Sequence, residues 1–230
     1  FSNKDELLHF QRGIFRLKRK IVFDSLAIGM SPFLMNLAAC FIVIIINQGL
    51  KKYGGDLAIG AFGIVNRLVF IVVMIVMGLN QGMQPIAGYN FGAKLYGRVN
   101  KVLRLTIIYA TAVTTFGFLV GMLVPDLVVG IFTSDAELTE LSVTGLRITV
   151  MFFPIIGFQM VTSNFFQSIG MAGKAIFLSL TRQMLILLPC LLVLPQFFGV
   201  AGVWYSMPVS DLLASLIALV MLVCQFRKFR

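Results

Sequence analysis

Six runs of about twenty mostly apolar residues divide this 230-residue chain, at 25–46, 57–79, 102–124, 142–166, 175–194 and 200–223. A bilayer's hydrocarbon core is about 30 Å thick, and roughly 20 helical residues cross it. Lipid offers no water to satisfy a bare backbone, so segments of this length must be helices. The pattern predicts an all-α polytopic membrane protein built as a six-transmembrane-helix bundle. Composition removes the soluble alternative. The chain is 59% apolar and 12% charged, with a mean hydropathy of +0.95. Soluble domains run at roughly 45–50% apolar and about 25% charged.

The net charge of +10 raises the question of nucleic acid. The cations lie between apolar runs rather than along one face, so no nucleic-acid partner is expected, and the lipid bilayer is the expected surroundings. Their placement orients the bundle. Lys4, Arg12, Arg16, Lys18, Arg19 and Lys20 precede the first run. Lys94, Arg98, Lys101 and Arg104 follow the second, Lys174 the fourth, and Arg227, Lys228 and Arg230 the sixth. With an even number of spans these all fall on one side. The other side has only Lys51 and Lys52, beside the acidic Asp135, Glu137 and Glu140. Cytoplasmic loops collect Lys and Arg, so both ends of the chain are expected in the cytoplasm of a cell-membrane protein. The chain opens on Phe1 in a polar, basic lead, as expected of a piece whose upstream part lies elsewhere.

The stretch 78–104, GLNQGMQPIAGYNFGAKLYGRVNKVLR, stops being oily without becoming an ordinary loop. Gln81, Gln84 and Asn90 bring amides, Gly82, Gly88 and Gly92 remove side chains, and Pro85 lacks a backbone donor. A straight helix over 57–90 would be about 51 Å long. The element must therefore bend, tilt or project, and Gly82–Pro85 is where a kink costs least. At the cytoplasmic end of a bending span, Gln81, Gln84, Pro85 and Asn90 are expected to shape a gate.

Three charges fall deep in the spans: Arg67, Arg182 and Asp211. Each costs at least about 2.5–3.5 kcal/mol to insert and should face a partner or water. Asp211 is expected to pair with Arg67 or Arg182. That pair is either a staple between two helices or part of a relay lining a substrate or ion path. One arginine is then left over, for a carboxylate elsewhere or an anionic ligand. Asn36, Asn66, Gln159, Asn164 and Gln167 add amides at depth, as interhelical hydrogen bonds or as substrate contacts. Pro32 could bend the first span near Asn36. Asp24 is read as a first-turn acid that suits the helix dipole, and a helix N-cap is placed near Ser134. The Met and Phe side chains can line a greasy, adaptable pocket. Cys40, Cys190 and Cys224 are read as buried small hydrophobes with neither metal-site nor disulfide spacing. His9 receives no role. No metal site, cofactor or enzymatic motif is visible: HExxH, Walker and GxSxG patterns are all missing.

Five segments in order then carry a resemblance: QGMQPIAGYNFGAKLYGRV (81–99), GIFTSDAEL (130–138), FFQSIGMAGKA (165–175), SLTRQMLILLP (179–189) and GVWYSMPVSDLLA (202–214). Together they resemble the C-terminal lobe of MATE transporters, the multidrug and toxic compound extrusion family. The resemblance implies one lobe of a twelve-helix transporter: residues 1–24 a cytoplasmic basic inter-lobe linker, 25–223 the six-helix C-terminal lobe, 224–230 a basic tail. It implies a secondary antiporter, not an enzyme, that uses H⁺ or Na⁺ to expel small amphipathic, often cationic compounds by alternating access. Its partner would be the N-terminal six-helix lobe, and alone this lobe should not transport. NorM-like members hold the cation with carboxylates in the first and fourth spans of this lobe. Here the interiors of both spans lack an acid, which places the coupling ion mainly outside this chain. Two alternatives stay open: a flippase for lipid-linked precursors in the same superfamily, which would use the surplus arginine, and a non-transporting membrane scaffold.

Overall fold

The computed structural model describes residues 18–229, and they are almost wholly helical. Residues 1–17 of the basic lead, with His9, lie outside the described residues. The first helical element, α1, runs Arg19–Gly92, and Gly55 is its one residue with non-helical dihedrals (φ 68°, ψ −163°). Positive φ is cheap only for glycine, and here it folds the chain back. Val43 and Val73 line one cavity. On a single straight helix they would stand about 45 Å apart, at about 1.5 Å for each of the thirty steps between them. The element is therefore two antiparallel limbs, 19–54 and 56–92.

Both limbs differ from expectation. The first does not end at Asn47–Lys52. It stays helical to Gly54, with Leu50 fully buried. Helix α1 also starts at Arg19, so its first turn has no acid and position 24 falls beyond it. The second limb does not kink at Gly82–Pro85, and no residue from 56 to 92 leaves helical dihedrals. Pro85 and Gln81, whose carbonyl loses its partner, are both exposed on the outer face, where no neighbouring helix enforces a bend. The limb is one helix about 55 Å long, so length is absorbed by tilt or projection. Pro32 likewise leaves the backbone helical.

After a turn in which Lys94 takes φ 59°, α2 (Tyr96–Leu123) returns, and α3 (Pro125–Gly130) is a short corner. The N-cap of α4 (Ala136–Val150) is Asp135 rather than Ser134. Its Oδ1 accepts from the amides of Glu137 at 2.9 Å and Leu138 at 3.3 Å. α4 and α5 (Phe153–Ser168) together make one span bent by 55° at residues 151–152. Pro154 cannot donate to Val150, which favours the break there. α6 (Ala172–Leu180) continues into a π-helical segment, Thr181–Leu187, and then α7 (Leu188–Phe198). Gly199 (φ 57°) turns the chain into α8 (Val200–Phe229).

α5 is central and touches α1, α2, α6 and α8. Two buried clusters fill the bundle's ends. One gathers Leu50, Ala61, Val65, Val129 and Trp204, and the other Val76, Leu103, Phe165, Phe166 and Leu178. Lipid tails are as apolar as the side chains, so close packing rather than water exclusion holds such helices together. The close approaches use glycine. A Cβ on Gly157 would lie 2.9 Å from the backbone of Ala110, one on Gly145 2.6 Å from the Trp204 ring, and one on Gly202 would be closer still to the Leu194 carbonyl oxygen. The cysteines do not follow the sequence reading. Cys40 and Cys224 are exposed, so they face out from this chain, and Cys190 is half-buried.

Gly157→Ala should destabilise the full-length protein by about 1–3 kcal/mol, because the obstructing atoms are backbone. Gly78→Ala, with nothing within 4 Å, should be neutral or slightly stabilising. Thermal unfolding of both variants in detergent checks the contrast, and equal stabilities would contradict the packing.

Candidate functional site: a cavity walled by a buried ion pair

The π-helical segment has a local cause. Pro189 has no amide proton for the carbonyl of Leu185. The preceding turn widens, and the Leu188 amide bonds the carbonyl of Gln183, five residues back. Such wide turns are rare and recur at functional sites. This one carries Arg182.

Arg182 Nε donates to Asp211 Oδ1 at 2.7 Å. The carboxylate is closed in, its side chain 6% exposed, whereas the arginine side chain is 32% exposed. Asp211 lies on a polar stripe of α8. Ser206, Ser210 and Ser215 accompany it, and each hydroxyl donates to a carbonyl of its own helix, at 2.8, 2.7 and 2.7 Å. The serines are thus satisfied within α8, which leaves Arg182 as the partner of the acid.

The pair forms part of the wall of a cavity of about 220 Å³, enclosed by both limbs of α1, the α4–α5 bend, the π segment and α8. Asn66, Thr149 and Ser210 supply the other polar groups. Phe62, Phe153, Met160 and Met207 supply soft apolar walls, so the structure selects which Met and Phe residues line a pocket. A mostly apolar cavity with a few convergent polar groups has the character of a small-molecule site. It can take an amphipathic guest and offer it both signs of charge. Among the described residues no group of three His, Cys, Asp or Glu side chains converges to hold a metal ion.

The other residues singled out in the sequence do not all gather here. Arg67, adjacent to Asn66, is exposed and makes no hydrogen bond or ion pair among the described residues. Asn36 is exposed on the first limb, and Gln159 is buried in α5. Asn164 is half-buried, its Nδ2 donating to the Met160 carbonyl at 3.0 Å. Gln81, Gln84, Pro85 and Asn90 stand beyond the cavity, on the far part of the second limb. Gln81 and Pro85 share an exposed helical stripe with Arg67, Phe70 and Met74, whereas Gln84 is half-buried. Asn90 is buried and turns inward, its Nδ2 donating to the Ile86 carbonyl at 2.8 Å while its Oδ1 has no partner. Sequence reasoning missed Asn80, which is 2% exposed with neither amide atom partnered. The signal was there: Asn80 keeps helical step with Val76, Met83 and Ala87. Thr149 and Ser210 were also missed, since nothing marks a lone hydroxyl in an apolar helix as cavity-facing.

Comparison with known proteins places this geometry. The MatE family model matches residues 30–192. The chain belongs to the MatE family. Across 219 residues this MatE chain is 26% identical to the multidrug export protein MepA of Staphylococcus aureus strain MSSA476, covering 95% of the chain and 48% of that protein. It is 23% identical to MepA of Staphylococcus saprophyticus over the same length. Among solved structures, a complex of the MATE multidrug transporter DinF-BH superposes with a TM-score of 0.81 at 35% identity, over 94% of this chain and 48% of that one. An outward-facing multidrug resistance MATE transporter of the MOP superfamily superposes with a TM-score of 0.86 at 19% identity, over 98% of this chain and 51% of that one, a likeness of fold. The MatE chain thus spans about half the length of the relatives it matches. It is a multi-pass membrane protein of a transporter family, with the architecture of one six-helix lobe.

Removing one partner of a buried pair strands the other. Asp211→Leu in the full-length protein should cost up to about 3–5 kcal/mol, nearer the lower figure because Arg182 is partly open to the cavity. Arg182→Leu/Asp211→Leu should recover most of that loss. A thermal-unfolding double-mutant cycle measures the coupling, and additive losses would rule the pair out as a link between the π segment and α8.

Proposed function

We propose that this MatE chain forms the C-terminal half of a secondary multidrug antiporter, in which H⁺ or Na⁺ entry drives export by alternating access. The carrying observation is the Arg182–Asp211 pair set into an apolar cavity between five helical elements of a half-transporter. A buried acid–base pair costs desolvation and is weak evidence for stability by itself. Beside a cavity it supplies fixed charges to a guest. The names of the relatives, export proteins for multiple drugs, support an amphipathic organic substrate. The N-terminal six-helix lobe would complete the transporter and bind the coupling ion, since the described part of this chain holds one deep carboxylate, Asp211, already paired. The basic segments would set both ends in the cytoplasm at the cell membrane, with residues 1–24 as the inter-lobe linker. The stripe of Arg67, Gln81 and Pro85 faces away from this lobe, where a gate formed with the other lobe would be, and Gln84 stands half-buried beside it. A lipid-linked anionic precursor is the second reading, favoured by Arg67, which has no partner among the described residues.

Everted vesicles with the full-length protein should expel a cationic dye when a proton or Na⁺ gradient is imposed. Gln84→Ala and Pro85→Ala should reduce the rate severalfold while leaving membrane insertion intact. Dye movement indifferent to either gradient would remove the antiporter reading. Unchanged rates in both variants would remove the gate. Altered lipid-precursor turnover without dye efflux would favour the flippase.

A further inference from the structure

A second cavity, of about 230 Å³, lies behind the first, between the second limb of α1, α2, α3 and the α4–α5 bend. Its walls are almost wholly apolar, among them Val72, Val113, Phe116, Val128 and Val150. Its rim is open on the outer surface, where Ile71 is 57% and Phe116 68% exposed. An engineered apolar cavity of about 150 Å³ stays dry and takes benzene, so this space is of the size and character to accept an aryl ring or a short hydrocarbon chain.

The two cavities share two residues, Val69 and Phe153, which line both. The bend supplies the rest of the partition. Thr149 faces the ion-pair cavity and its neighbour Val150 the apolar one. Phe153 is the first residue of α5, just past the 55° break, and is 3% exposed. The ring of Phe153 and the isopropyl group of Val69 thus face both a chamber with fixed charges and a chamber without any.

We propose that the two cavities are one bipartite site for an amphipathic small molecule. Its charged or hydrogen-bonding head lies against Asn66, Arg182 and Asp211. Its hydrocarbon arm passes Phe153 into the apolar chamber. Phe153, as the partition, sets how long an arm the site accepts. The proposal rests on the reading of the ion-pair cavity as a substrate site. Continuity argues for this occupant: the rear chamber shares two wall side chains with the front one, and its walls offer nothing to a head group. The break beside Phe153 lets the partition shift by a change of bend between α4 and α5, whereas Arg182 and Asp211 are carried by other elements, the π segment and α8.

The test uses n-alkyltrimethylammonium ions from butyl to tetradecyl, with one head and a graded arm, binding to the full-length protein in nanodiscs. The rear chamber is filled by Val113→Phe, and the partition is thinned by Phe153→Leu. Burying one methylene is worth about fourfold in affinity. Val113→Phe should bind the butyl ion within about twofold of wild type and then lose about fourfold for each further methylene that would have entered the chamber. Phe153→Leu should shift the other way and favour longer arms. Taking the ratio of variant to wild type cancels partitioning of the ions into the bilayer. A ratio that stays flat along the series for both variants would overturn the bipartite site while leaving the front cavity as a substrate site. Failure of every member to bind wild-type protein would overturn both. The opposite sign expected for Phe153→Leu keeps the test decisive even if Val113→Phe does not fold.

Discussion

Everything in this structure follows from lipid's inability to hydrogen-bond a peptide group. The penalty of several kcal/mol per bare group leaves a spanning chain only helices. It also explains where the helices are permitted to depart from ideal geometry. Gly55 and Gly199 are reversals between helices. The α4–α5 bend and the π segment at Thr181–Leu187 lie beside cavities, and each adjoins a proline, Pro154 or Pro189, that removes one donor. Backbone irregularity collects where space or neighbouring protein can absorb it.

The same solvent takes away the usual reason for helices to associate. With tails as apolar as Leu or Phe, packing depends on how closely backbones approach. Gly157 against Ala110, Gly145 against Trp204 and Gly202 against Leu194 bring α5 onto α2, α4 onto α8 and α7 onto α8. These contacts build a frame with filled ends, and the cavity with Arg182 and Asp211 lies off that packing. The ion pair works against the same background. An unpaired charge in this frame is expensive, so Asp211 is held close to Arg182, while the open side of the arginine remains available to whatever enters.

The legibility of the site was uneven. The deep charges stood out because a charge in an apolar run is costly by itself, whatever surrounds it. The choice between Arg67 and Arg182 as partner did not stand out. It depends on which way the second limb is rotated, and one residue of rotation separates Asn66, which lines the cavity, from Arg67, which does not. The stretch 78–104 read as a break because glycine and proline are local signals. The helix survives Gly82–Pro85 because Gln81 and Pro85 lie on its outer face, and the break falls later, at residues 93–95. Asn80 was overlooked for the reverse reason, since an amide that is buried and unpartnered is visible only once its neighbours are known.

What the sequence by itself determined is the material: six helices of bilayer length, the charges they carry, and the family, through motifs local enough to survive reading one residue at a time. Only the tertiary structure decided that Arg182 faces Asp211, that Phe153 lines two chambers, and that Arg67 is left looking outward. The physical reason is geometric. Helix length and cost of insertion depend on a segment's own residues. The partner of a side chain depends on rotation about the helix axis, at about 100° per residue. That rotation is set by contacts between helices, many of them far apart in the chain.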